Sequence, residues 1–327
     1  IFYCSHAYFA GGVFSVLACR KERKAIMPIL KKKLHISKSK FVSKISIYFV
    51  LFGIGFVYLY PVIYMVMNSI FSQADLIDPS VTWIPTELYF ENYAQAFKVL
   101  DFTKSFATSI LMSAVPTILQ TAITACIGFG LARFKFPMKK MWIVLILATF
   151  LLPTQIMMVP RFVLFDRFNI TNTVFAQFLP ALFGQGIKSA IFILVFFQYF
   201  TSYPKTLDEA AGLDGAGKFT IFTKIALPIS KGAIVLTILF SFVWYWNETY
   251  QSGLMFGSVL QTLPLKLQSF TARYEAIYGS GSGLGGNINE SITLAGTFLS
   301  IIPLLILYIF LQRQFVESIE QSGITGE

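Results

Sequence analysis

Six stretches of about 20 or more mainly apolar residues recur along the chain, at 45–71, 104–132, 140–164, 174–202, 231–257 and 289–312. A hydrocarbon core of roughly 30 Å takes about 20 helical residues at 1.5 Å rise. Backbone groups in lipid must bond within their own segment, so such stretches predict helices rather than open strands. The pattern therefore predicts an all-α membrane protein with six transmembrane helices and both termini on one side. Pro61, Pro116, Pro153, Pro160, Pro180 and Pro303 fall inside these spans. Kinks are expected there, with neighbouring helices satisfying the freed carbonyls.

Between the fourth and fifth stretches lies a polar island, 204–228, reading PKTLDEAAGLDGAGKFTIFTKIALP. Thr206 followed three residues later by Glu209 spells a capping box and predicts the start of a short helix. Asp214-Gly215 is a turn signal that ends it. A second helix follows, carrying Phe219, Phe222 and Ile225 at threefold spacing with Ile221 alongside, and stops at Leu227-Pro228. The residues alone leave two uses open for this helix-turn-helix: resting on lipid under its own bundle, or docking another protein.

Composition and charge set the environment and the orientation. Of 327 residues 55% are hydrophobic and 13% charged, against roughly 25% charged in soluble domains. The net charge of +10 is concentrated in residues 1–44, where ten Lys and Arg face the single acid Glu22. Beside a span, such an arm reads as a cytoplasmic anchor in preference to a nucleic-acid tail, and no nucleic-acid partner is expected. The loop at 133–140 carries Arg133, Lys135, Lys139 and Lys140 without an acid, whereas 72–104 is acidic. The first loop is thus expected outside and the second inside, which makes the arm, the island and the tail 313–327 cytoplasmic. The Gly-Ser run Gly279 to Gly286 then reads as an outer connector. Residues 1–26 receive no function, since Met27 makes a natural start and no cleaved signal is expected. Cys4, Cys19 and Cys126, with His6 and His35, give neither a disulfide framework nor a metal site.

Gly212, Gly217 and Lys218 fit the spacing of a phosphate-binding loop, but Phe219 stands where a magnesium-binding hydroxyl belongs and a helix precedes the motif, so no nucleotide site is expected. A secondary transporter would show ionisable groups in the middle of several spans and inverted repeats, and a membrane enzyme would show a catalytic constellation. Neither pattern is present in the sequence.

Glu209-Ala210-Ala211, three residues, Gly215, nine residues, then Ile225-x-Leu227-Pro228 matches the EAA signature of membrane subunits of bacterial ABC importers at every fixed position. The chain resembles the carbohydrate-uptake branch of that family over roughly 44–327. LARFKFP at 131–137, LLPTQIMMVP at 151–160, WYWNE at 244–248 and QRQFVESIEQSGITGE at 312–327 add to the likeness. The resemblance implies a type I importer fold, with 45–312 as the permease domain and the island as a coupling helix docking a separate ATPase. Glu209, Ala210, Ala211, Asp214, Gly215, Phe219, Ile225, Leu227 and Pro228 form the implied docking segment. It also implies a second homologous permease, an ATPase dimer carrying ATP and magnesium, and an extracytoplasmic solute-binding protein. No cofactor or catalysis is expected in this chain, and a sugar or oligosaccharide is the implied cargo; an amino acid, peptide or polyol is the alternative. Trp246, Asn247 and Glu248, with Gln155, are candidates for the translocation path. An aromatic belt at the interface is the competing account of WYWNE, and helix–helix bonding or snorkelling that of Gln155 and Lys188.

Overall fold

The computed structural model describes residues 43–279 and 288–324, with side chains described as far as Gln314. Most of the basic arm and the Gly-Ser run beyond Gly279 lie outside the described residues. The described residues fall into two compact units that divide between Tyr64 and Met65.

The first unit is built on α1, Ser43–Asn68, which ends just inside the second. Phe49 and Phe52 are exposed, and Phe56, Tyr60 and Tyr64 form ring rungs at i, i+4 with centroids 6.0 and 6.4 Å apart. A helix apolar on all faces suits a lipid surround.

The second unit begins with α2 (Gln73–Ile77) and α3 (Glu91–Val99), then α4 (Phe102–Arg133), α5 (Lys139–Leu151), α6 (Thr154–Arg167), α7 (Phe175–Leu182) and α8 (Ser189–Ser202). The island forms α9 (Lys205–Leu213) and α10 (Lys218–Ile229). After it come α11 (Lys231–Asn247), α12 (Tyr250–Phe256), α13 (Leu263–Gln268), α14 (Phe270–Tyr278) and α15 (Glu290–Ile324). The last helix runs well past the predicted end at 312.

The 32-residue α4 is the spine, packed against α7, α8 and α11. At its contact with α8, a Cβ on Gly128 would come within 2.9 Å of the Phe197 backbone nitrogen, so glycine allows the two backbones to meet. A buried polar row runs down α4 through Ser105, Ser109, Ser113, Thr117, Gln120 and Thr124. Part of this row bonds across to neighbouring elements, Ser109 Oγ accepting from the Leu263 amide at 2.7 Å, while Thr124 Oγ1 donates to Gln120 O of its own helix at 2.6 Å. A hydropathy window averages over such a row and hides it.

Among the described residues, three helical stretches are long and apolar enough to cross a membrane singly, and up to five spans result if each bent pair counts as one. Three predicted windows are broken. In 140–164, α5 and α6 meet at 97°; Pro153 forces Leu152 out of the helical region, to ψ 126°. In 174–202, the turn 183–188 separates α7 from α8, with Gly184 and Lys188 at positive φ. In 231–257, Glu248 adopts extended backbone and its Oε1 accepts the Gln251 amide at 2.8 Å, starting α12 afresh.

Candidate functional site

The island folds as two short helices joined by a tight turn. Contrary to the expected capping box, α9 starts one residue before Thr206 with Pro204 as N-cap, and no side chain caps it. Proline's fixed φ already suits a helix entry, so Thr206 and Glu209 are not used in capping. At the other end the Ala216 amide donates to Ala211 O at 2.9 Å and the Gly215 amide to Gly212 O at 3.1 Å. This is the Schellman pattern, with Gly215 at φ +83°. The Asp214-Gly215 turn is therefore as expected, and its glycine is required by backbone conformation, since open space surrounds the place of a Cβ.

Through α10 the helix widens, and Leu227 N–H donates to Phe222 O five residues back. Pro228 explains the widening: it lacks an N–H and its ring would collide with the carbonyl four residues earlier. Ile221, Phe222 and Ala226 are buried against Phe129, Phe200 and Tyr203, with the Phe222 and Phe129 rings 5.1 Å apart. Ile225 and Leu227 are half-buried and Pro228 is exposed. Phe219, predicted on the apolar stripe, is instead 77% exposed. The buried face is set by Ile221 and Phe222, and at about 100° per residue Phe219 points about 110° away from its middle.

An ionic clamp fastens the island to the end of α4. Arg133 Nε lies 3.2 Å from Asp208 Oδ2, and these side chains retain 6% and 14% of their exposure. Arg133 Nη2 donates to Tyr203 O at 2.8 Å, its guanidinium stacks 3.7 Å over the Tyr203 ring, and the Tyr203 hydroxyl donates to Asp208 Oδ1 at 2.6 Å. Burial, and then the bond to Asp208, push the Tyr203 hydroxyl up to about 12. Arg133 was visible in the sequence as a topology charge and Asp208 only as one more residue of the island, and nothing local joined them.

Successive residues on a helix point about 100° apart. With Asp208 turned inward, Glu209 and Ala210 are exposed and Ala211 is half-buried. Leu213 is 90% exposed, and Asp214 is also on the surface. The free side of the elbow thus exposes the Glu209 carboxylate and the apolar side chains of Leu213 and Phe219.

The four path candidates do not come together. Trp246 is 2% exposed in the core, stacked on Phe242 at 5.8 Å, with Nε1 donating to Ser300 O at 3.3 Å. Asn247 turns back to its own helix, its Nδ2 donating to Val243 O at 2.9 Å. Gln155 is exposed on α6 beside Thr154. Glu248 lines a small pocket with Arg161, Gln177 and Tyr245. Lys188 Nζ stands 4.4 Å over the Trp244 ring.

The likeness extends to known proteins. The family described as "Binding-protein-dependent transport system inner membrane component" matches residues 106–321. The probable ABC transporter permease protein YurM of Bacillus subtilis is 27% identical over 288 residues, covering 88% of this chain and 90% of that protein. The arabinooligosaccharides transport system permease protein AraQ of Halalkalibacterium halodurans is 28% identical, covering 84% and 93%. The lactose transport system permease protein LacG of Rhizobium radiobacter is 28% identical, covering 83% and 92%. Among solved structures, a chain of a bacterial ABC transporter importing the acidic polysaccharide alginate superposes with TM-score 0.66 at 22% identity, over 82% of this chain and 95% of that one. A helical bundle of shared fold, a family match across two-thirds of the residues and an intact EAA signature converge: the chain belongs to the inner-membrane components of binding-protein-dependent ABC transport systems.

Proposed function

We propose that the chain is a permease subunit of an ATP-driven importer for a sugar or oligosaccharide, with the 204–228 elbow as its coupling helix. In this reading six spans cross the plasma membrane, both termini are cytoplasmic, and a second homologous permease completes the pore. ATP and magnesium are handled by a separate ATPase dimer, and an extracytoplasmic solute-binding protein delivers the cargo. The names of AraQ and LacG, which concern oligosaccharide and lactose transport, support a sugar as cargo. The elbow geometry carries the docking role. Its outer face offers Glu209, Leu213 and Phe219 to a partner, while its inner face is held by Arg133 and the Phe129–Phe222 cluster. A push on the outer face is passed to α4 through the ion pair.

Glu209→Lys tests this. The variant is expected to fold and insert normally, because Glu209 is exposed, yet to lose ATP-dependent uptake through charge reversal at the dock. Co-purification from the native host followed by mass spectrometry should return an ATPase and a second permease with the wild-type chain. Normal ATPase recruitment and normal uptake by Glu209→Lys would remove the elbow from the coupling path.

A further inference from the structure

We propose that the half-open cavity lined by α5, α6, the 183–188 turn, the start of α8 and α12 takes a carboxylate-bearing sugar, a uronate, held by Arg161 and Lys188. The proposal rests on the sugar-permease reading and narrows its cargo.

The cavity has a volume of about 560 Å³, within the roughly 300–1,000 Å³ of small-molecule sites. Arg161 and Lys188 line it together with Trp142, Thr149, Gln185 and Gln251, and no Asp or Glu does. Neither cation forms an ion pair among the described residues, although Lys188 Nζ lies 4.4 Å over the Trp244 ring. The hydrogen bond from Arg161 Nη1 to Gln251 Oε1 is long, at 3.5 Å. Glu248 lines a smaller pocket that shares Arg161 and Gln251, but its Oε1 is engaged by the Gln251 amide.

The wall that carries Lys188 is built with care. Gln120, fully buried on α4, donates through Nε2 to Ile187 O at 3.0 Å and to Ser241 Oγ at 2.9 Å. The Tyr245 hydroxyl donates to Gln120 Oε1 at 2.6 Å and accepts the Ile187 amide at 3.3 Å. This network fixes the turn that puts Lys188 at φ 52°, a conformation lysine adopts at a cost.

A guanidinium without an ion-pair partner in an apolar bundle is costly unless water or a counter-charge meets it. Two cations facing one cavity supply that condition for an anion: the guanidinium fork matches a carboxylate in two bonds, and the ammonium adds a point charge. The Trp142 indole and the Thr149 and Gln185 side chains then serve the ring face and hydroxyls.

The test uses the complete complex in phosphatidylcholine vesicles. Uptake is measured for matched labelled trisaccharides, uronate against neutral, in the galacto, manno and gluco series. The uronate member of at least one pair is expected to accumulate. Arg161→Gln should lower the uronate-to-neutral uptake ratio at least tenfold, with Arg161→Lys retaining more of it. Lys188→Gln, at an exposed position, should lower the ratio as well. Accumulation of neutral members alone, or a ratio unchanged in Arg161→Gln and Lys188→Gln, overturns the proposal and leaves the sugar-permease reading standing. Uptake of no member of any pair defeats both. If wild-type uptake requires added phosphatidylglycerol and Arg161→Gln abolishes that requirement, the cations serve lipid headgroups and the proposal is overturned.

Discussion

Arg133 and Asp208 are the pair on which the elbow turns. Removing one partner leaves the other charge buried, a loss of about 3–5 kcal/mol, whereas Glu209 faces water. Arg133→Met or Asp208→Asn is therefore expected to lower the unfolding temperature in detergent clearly, and Glu209→Gln hardly at all. The exchanged pair Arg133→Asp with Asp208→Arg should recover part of the loss. Tyr203 adds a dependence on pH. Because its hydroxyl titrates near 12 when folded and near the ordinary 10 when unfolded, its contribution is whole below about pH 10 and fades as the pH rises through 12. Comparing unfolding of the wild type and Tyr203→Phe between pH 8 and 12 should show that extra alkaline decline in the wild type alone. The sequence displayed Glu209 and Gly215 through a signature of fixed spacing. It could not display the clamp, whose Arg133 and Tyr203 stand 70 residues apart: a basic loop residue has the same look whether it faces phosphate headgroups or a buried carboxylate.

The elements were legible where periodicity is uninterrupted and obscure where the backbone breaks. The windows for α1 and α4 gave helices close to their predicted bounds, and the last window lacked only its true end. The bend of 97° between α5 and α6 falls at a proline already marked as a kink, but its size depends on which neighbours receive the two halves. Glu248 ends α11 by capping α12, a role that a lone carboxylate after WYWN does not announce. In the elbow, two glycines offer opposite outcomes. Gly215 at φ +83° should resist alanine, with a loss of about 1–2 kcal/mol, seen as faster amide exchange across 205–217. Gly212 is inside α9 with open space around it, so Gly212→Ala should gain about 0.5–1 kcal/mol and slow the same exchange.

For the whole molecule, composition alone placed the chain in a membrane, and the loop charges predict a direction for it. That direction can be measured in a variant without native cysteines. A cysteine at Lys135 or Glu209 should react with an impermeant maleimide in inside-out vesicles only, and one at Glu87 in right-side-out vesicles only; the reverse pattern would turn the molecule over. The two ion pairs among the described residues stand at opposite ends of α4: Arg133 with Asp208 beyond its last turn, and Lys266 with Asp101 at its N-cap. A rod of 32 residues is roughly 48 Å long, so tipping it by about 5° carries the far tip roughly 4 Å. Ion pairs at both extremities thus tie the ends of this spine to the elbow on one side and to α13 on the other, so neither end shifts without its neighbour.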